Sequence, residues 1–240
     1  MSGTLSLAGF RALYVGPPVD VAPHASLAAN FIVALEGTVS IRAARGGLSD
    51  QRVVYVPAGV RRADDLRRTS RVAALWLDPL DILLDHANAL PTKAGPLRGG
   101  DLPALRRALG EGSLANLPAG FRAPNDARVA ALSAKLREGR ELEWDIAEHA
   151  AALGVSPWHL MRRFRAEVGL TFRQYRVLAR IYFALRAFDA GASWTTGALD
   201  ASFASTAHFS ATFRKVFGMA PNAGPIAKQR SARSRKSARP

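Results

Sequence analysis

The chain has 240 residues, 48% of them hydrophobic, no cysteine, and a formal net charge of +14. That length suits two domains of about 100 residues, and the absence of cysteine excludes disulfides, thiolate zinc sites and a cysteine nucleophile. The charge is uneven: residues 1–124 carry 14 Lys/Arg against 10 Asp/Glu, residues 125–240 carry 19 against 9, and a basic half favours a polyanionic partner because each neutralised phosphate releases condensed counterions.

Met1 to Phe10 has no charged stretch before its apolar residues, so no secretory signal is expected and the protein is placed in the cytoplasm. Residues 27 to 77 predict short strands: Leu27 to Leu35, then Val39, Ile41 and Ala43 in alternation, then Arg52 to Val56 and Val72 to Leu77. Gly37, Gly46-Gly47 and Pro57-Ala58-Gly59 are expected turns between them, which suits a small antiparallel barrel or sandwich. Arg61, Arg62, Arg67, Arg68 and Arg71 could bind an acidic effector, but with Asp64 and Asp65 among them they read rather as a solvated loop. The apolar run Val72 to Leu84 is broken by Asp78, Pro79 and Asp81, so no membrane span is expected.

Beyond Pro79 the pattern turns helical. Ile82, Leu83, His86 and Leu90 share one helical face, and Leu102, Leu105, Arg106 and Leu109 another; these could serve a dimer contact or an internal core. The Gly-, Pro- and Asn-rich stretch from Gly110 to Asn125 predicts an interdomain linker. Helical spacing resumes at Asp126 and ends at Pro221, and the Lys/Arg/Ser/Ala-rich residues 228–240 predict a disordered basic tail.

The helical half contains a repeat. Ser156, His159, Leu160, Phe164, Arg165 and Gly169 correspond, 49 residues on, to Ser205, His208, Phe209, Phe213, Arg214 and Gly218. Each copy predicts a helix capped by Ser156 or Ser205, with an i, i+4 apolar stripe and a terminal glycine. Upstream of the first, Asp145 to Leu153 predicts a short helix followed by Gly154; upstream of the second, Thr195 to Ala201 plays the same part. Short helix, tight turn and capped second helix are the grammar of a helix-turn-helix.

Off the apolar stripe, Trp158, Met161, Arg162 and Arg165 stand at i, i+3, i+4 and i+7, where a recognition helix meets base edges. The matching positions of the second unit, Thr206, Ala207, Ser210 and Ala211, are small. The first unit is therefore expected to read most of the sequence and the second mainly to position, with phosphate contacts from Arg163, Arg173, Arg214 and Lys215. His159 and His208 lie beside the apolar stripes without a nucleophile, so packing is expected of them rather than catalysis. Thr171 to Ala190 predicts a connecting helix of roughly 30 Å, close to the roughly 34 Å repeat of a major groove.

Residues 126–225, with Ser156-Pro157-Trp158-His159-Leu160-Met161-Arg162-Arg163-Phe164 and the closing His208-Phe209 and Phe213-Arg214-Lys215-Val216-Phe217-Gly218-Met219-Ala220-Pro221, resemble the DNA-binding region of the AraC/XylS family of transcriptional regulators. Gly197 and Ser202 depart from the apolar residue and the glycine usual there. The resemblance implies an α+β chain: a cupin-like β-barrel for effector binding or dimerisation in residues 1–90, a helical segment and linker in 91–125, an all-α double helix-turn-helix domain in 126–225 and the tail in 226–240. It implies double-stranded DNA as partner, with a small-molecule effector, RNA polymerase and a second copy as further partners, and association with the nucleoid. His24 and His86 are the only histidines of the N-terminal half, so no metal, cofactor or enzymatic activity is expected. The alternatives are an architectural or RNA-binding basic protein and a cupin-type enzyme with a helical appendage.

Overall fold

The structure is a computed structural model, and it describes residues 3–43, 46–86, 95–96, 107, 109–115 and 117–221. Among the described residues, ten strands form two antiparallel sheets: β1 (Thr4–Ala8), β2 (Arg11–Gly16), β3 (His24–Ala25), β4 (Ala29–Gly37), β5 (Val39–Ala43), β6 (Gly46–Gln51), β7 (Val53–Val56), β8 (Arg61–Asp65), β9 (Thr69–Leu77) and β10 (Gly95–Pro96). The larger sheet runs β1-β2-β9-β4-β7-β10, the smaller β3-β8-β5-β6.

The apolar run read at Leu27 to Leu35 is continuous rather than alternating because both faces of β4 are covered. Ile32 and Ala34 join one core, while Ala29, Phe31 and Val33 join a second on the opposite face. Strand β2 divides the same way, Ala12 and Tyr14 to one side and Leu13 and Val15 to the other. The second core is closed by Leu83 of α1 (Leu83–His86) together with Leu109 and Leu117. The residues read as a linker therefore lie against the sheet: Asp81 bridges Phe121, and the Arg122 amide donates to the Leu80 carbonyl at 2.6 Å.

Several expectations are corrected here. The barrel is not closed; the two sheets keep separate edges, and β6, where Gly46-Gly47 was read as a turn, is a largely exposed edge strand beginning with those glycines. Strands β1 and β2 were not anticipated. The arginine-rich stretch is in part strand β8, with Arg62 buried rather than solvated. Leu90, Leu102, Leu105, Arg106 and the basic tail lie outside the described residues.

Six helices follow: α2 (Ala127–Arg137), α3 (Ile146–Ala152), α4 (Pro157–Val168), α5 (Phe172–Asp189), α6 (Trp194–Asp200) and α7 (Thr206–Phe217). Helix α5 starts with a reciprocal capping box between Thr171 and Gln174 and buries Phe172, Tyr175, Leu178, Ala179, Tyr182 and Leu185, as its spacing predicts. These residues share one core with the sheet. The Phe10 ring packs 5.1 Å from Tyr182 and 5.9 Å from Phe183. Tyr175 Oη donates to Asp78 Oδ2 at 2.7 Å and receives a bond from Arg137 Nη1 at 3.0 Å, and Tyr182 Oη donates to the Trp76 carbonyl at 3.2 Å. Burial pushes the Asp78 carboxyl up to about 6.

Candidate nucleic-acid interface

Local chemistry fixes the first unit. Asp145 accepts from the amides of Ala147 and Glu148 at 2.7 and 3.1 Å, and Glu148 reaches back to the Asp145 amide at 2.6 Å, so α3 begins with two donors satisfied reciprocally. After the turn, where Gly154 takes φ +64°, Ser156 Oγ accepts from the His159 amide at 3.2 Å and Pro157 occupies the first helical position. Helix α4 buries Leu160, Phe164 and Val168. The Phe164 ring sits edge-on to Phe172 at 5.8 Å and Tyr175 at 5.5 Å, which seats the recognition helix on α5.

The opposite face is open. Trp158 is 63% exposed and Met161 43%, and Arg162, Arg163 and Arg165 are exposed beside them. The Arg162 guanidinium lies 4.7 Å from the centre of the Trp158 ring. That cation–π contact restricts a long side chain before any ligand arrives.

The second unit repeats the plan with one residue more. Its first helix is capped at Ser193, 48 residues after Asp145, but its recognition helix is capped at Ser205, 49 after Ser156. The extra residue falls in the turn, where Ser202 adopts φ +62°, a conformation unfavourable for any residue but glycine. Gly197 lies at a close approach: a Cβ there would stand 3.0 Å from the Ala184 carbonyl of α5. Ser205 Oγ accepts from the His208 amide at 3.1 Å, and Phe209, Phe213, Val216 and Phe217 are buried.

Ala207, Ala211, Arg214 and Lys215 are exposed, whereas Thr206 and Ser210 are half-buried. The Thr206 hydroxyl is engaged by Thr195 Oγ1 at 3.2 Å. Gly218 closes the helix at φ +72°, where a Cβ would lie 2.5 Å from the Ala22 carbonyl; the Ala22 amide donates back to the Gly218 carbonyl at 3.1 Å. The end of the second recognition helix is thus seated against the strand domain.

Not every arginine of the basic half is free for a polyanion. Arg176 Nη1 donates to the Trp144 carbonyl, and to that of Glu143 at 3.2 Å, while Arg180 Nε donates to the Leu142 carbonyl at 3.0 Å. Arg173 is exposed. Sequence spacing gave no sign of His149, which is buried with Nδ1 3.4 Å from Glu141 Oε2 and whose burial pulls its pKa down. Ala147 and Ala151 of α3 are exposed, and His149 and Ala150 form its buried side. His159 is half-buried, and the exposed His208 packs edge-on to Phe203 at 5.4 Å. Among the described residues, no group of three or more His, Asp or Glu side chains could hold a metal ion, and no helix is long and apolar enough to cross a membrane.

A second feature escaped the sequence. Between the sheets lies a small cavity of about 40 Å³, walled by Tyr14, Ile32, Val72 and Trp76 from the strands and by Phe217 and Met219 at the end of α7. His24, Asn30, Arg62 and Asp64 supply its polar side. Arg62 Nε donates to Asp64 Oδ1 at 2.8 Å, and Nη2 donates to Asn30 Oδ1 at 2.9 Å.

Residues 149–223 match the family described as "Helix-turn-helix domain". A search of curated protein sequences finds no match. The fold is similar to that of ToxT from Vibrio cholerae O395, at 12% identity and a TM-score of 0.60, over 91% of this chain and 95% of that one. It is also similar to unsaturated fatty acid bound wild-type ToxT from Vibrio cholerae strain SCE256, at 13% identity and a TM-score of 0.56, over 92% and 95% of the two chains. An N-terminal strand domain followed by a helical C-terminal domain is the architecture shared. Residues 149–223 thus form a helix-turn-helix domain, set behind a strand domain in a fold similar to that of ToxT.

Proposed function

We propose that the chain is a DNA-binding transcriptional regulator of the AraC type that reads its operator chiefly with α4, and that α7 anchors the complex while coupling it to the strand domain. The observation that carries the reading is the inequality of the two exposed faces. Helix α4 presents Trp158, Met161, Arg162 and Arg165, whereas α7 presents Ala207 and Ala211, with Thr206 and Ser210 half-covered. A guanidinium can bond two acceptors on one guanine edge, while small side chains offer little beyond contact with a thymine methyl. Arg163, Arg173, Arg214 and Lys215, all exposed, serve as phosphate contacts. With its 18 residues, α5 spans about 27 Å, which suits two reading helices in successive major grooves.

The division of labour follows the expected segments: effector domain to residue 90, helical segment and linker to 125, reading domain to 225 and basic tail beyond. The strand domain, whose small cavity α7 helps to wall, takes the effector in this scheme, and the protein acts by binding rather than catalysis. RNA polymerase is the protein partner the role calls for at a promoter, and a second copy the partner on operators with repeated sites.

Selection of bound sequences from random duplex DNA at two salt concentrations tests the scheme. Arg162→Ala is expected to relax preference at one base pair and to cost about 1–3 kcal/mol there, whereas Lys215→Ala weakens all sequences alike. Equal effects of the two substitutions on every sequence would remove the assigned roles. Uniform, salt-sensitive binding with no enriched motif would favour an architectural protein.

A further inference from the structure

Trp76 and Asp78 stand two positions apart where β9 ends, and each reaches the helical half. The Asp78 carboxylate accepts from Tyr175 Oη at 2.7 Å. The Tyr175 ring in turn lies edge-on to Phe164 of α4 at 5.5 Å, and its hydroxyl receives a bond from Arg137 of α2 at 3.0 Å. On the other side, the Trp76 ring meets Phe217 at 5.9 Å; Phe217 stacks on Phe213 at 4.4 Å, and Phe213 lies 5.7 Å from Phe209. Phe164, Phe209 and Phe213 are buried residues on which α4 and α7 are seated. One strand end therefore touches the aromatic packing beneath each recognition helix.

This tie adds what the helical half lacks. Among the described residues, neither α3 nor α4 makes an extensive contact with α6 or α7, so the two units are joined chiefly through α5. A single connector fixes spacing along its own axis, but long helices bend gently, and the angle between units hung on one stays soft. A second tie off that axis removes the freedom. It is also a firm one: Asp78 is fully buried and Tyr175 is 1% exposed, so no water replaces a lost partner.

Resting on the reading of α4 and α7 as the two DNA-contacting helices, we infer that Trp76 and Asp78 are positioning residues for DNA. The end of β9 staples both helices into the one relation in which they meet the same face of a duplex. Both residues act through the aromatic packing they touch, and neither contacts the nucleic acid.

The test uses the full chain and a duplex selected from random sequence. Because the chain has no cysteine, Ala166→Cys on α4 and Ala204→Cys just before α7, both exposed positions, carry two spin labels without background. Pulsed electron paramagnetic resonance then gives the distance between them. The otherwise unsubstituted chain is expected to show one narrow distribution whose centre does not move when the duplex is added. Tyr175→Phe, which removes only the hydroxyl, and Trp76→Leu, which removes the ring that meets Phe217, are each expected to broaden it at least about twofold and to weaken duplex binding about five- to tenfold, since binding must then order the heads. Adding the duplex should restore the narrow distribution in both variants. Leu75→Val, on the opposite face of β9 in the second core, is the control: it should lower stability to urea without broadening. Broadening by Leu75→Val equal to that by Tyr175→Phe would overturn the staple, as would an unchanged distribution in Tyr175→Phe. A centre displaced by the duplex, or tighter duplex binding by Tyr175→Phe, would overturn the positioning role, because the strand domain would then hold the helices away from DNA. No enriched duplex from the selection, with the broadening still confined to the Tyr175 and Trp76 variants, would sink the DNA reading and leave the staple intact.

Discussion

Gly169 and Gly218 end the two recognition helices in the same left-handed conformation, at φ +81° and +72°, but their surroundings differ. A Cβ on Gly169 meets nothing within 4 Å, whereas one on Gly218 would stand 2.5 Å from the Ala22 carbonyl and 2.8 Å from His24 Nδ1. Alanine at either site carries the left-handed penalty of about 1–2 kcal/mol. At Gly218 the β3 approach must also shift, straining the Ala22–Gly218 bond, and overpacking of this kind costs a further 1–3 kcal/mol or so. Urea unfolding of the full chain should therefore show a loss of about 1–2 kcal/mol for Gly169→Ala and roughly 2–5 kcal/mol for Gly218→Ala. The difference between the two measures how firmly the end of α7 is seated on the strand domain. Equal losses, or a larger loss at Gly169, would refute that seating.

Ser202 occupies the left-handed region that Gly154 occupies in the first unit, so Ser202→Gly should raise stability by about 1 kcal/mol in the same unfolding assay. The Asp78 carboxyl has a folded-state pKa raised by burial to about 6. Its contribution to stability is complete below its unfolded value near 4 and is lost as pH rises through 6. Asp78→Asn should flatten the fall in unfolding free energy between pH 4 and 6.5 or so, and an unchanged slope would exclude the carboxyl as its source. In DNA titrations, Lys215→Ala should reduce the slope of log affinity against log salt by about 1, and an undiminished slope would remove its phosphate contact.

The helical half was legible because its signals are local. Ser156, Ser205, Gly169 and Gly218 mark ends through their own backbone and side-chain chemistry, and the i, i+4 pairs Leu160/Phe164 and Phe209/Phe213 mark the buried face. The strand domain was legible only where apolar runs were long, as at Leu27 to Leu35. Strand β8 was misread because Arg62 and Asp64 look solvated in sequence; their burial depends on Asn30, 32 positions away. The cavity was invisible for the same reason, since Trp76, Arg62 and Phe217 meet only through long-range packing. The one-residue difference between the turns could have been found by aligning the short helices as well as the recognition helices.

The aromatic seam running from Phe10 through Tyr182 and from Trp76 to Phe217 makes the two halves poor candidates for modular exchange. A chimera that grafted residues 126–225 onto another sensor would leave Tyr175 without Asp78 and Phe217 without its Trp76 edge. Such a graft would display a wet, sticky flank on the helical half, and its solubility would depend on redesigning that flank before its DNA preference could be read at all.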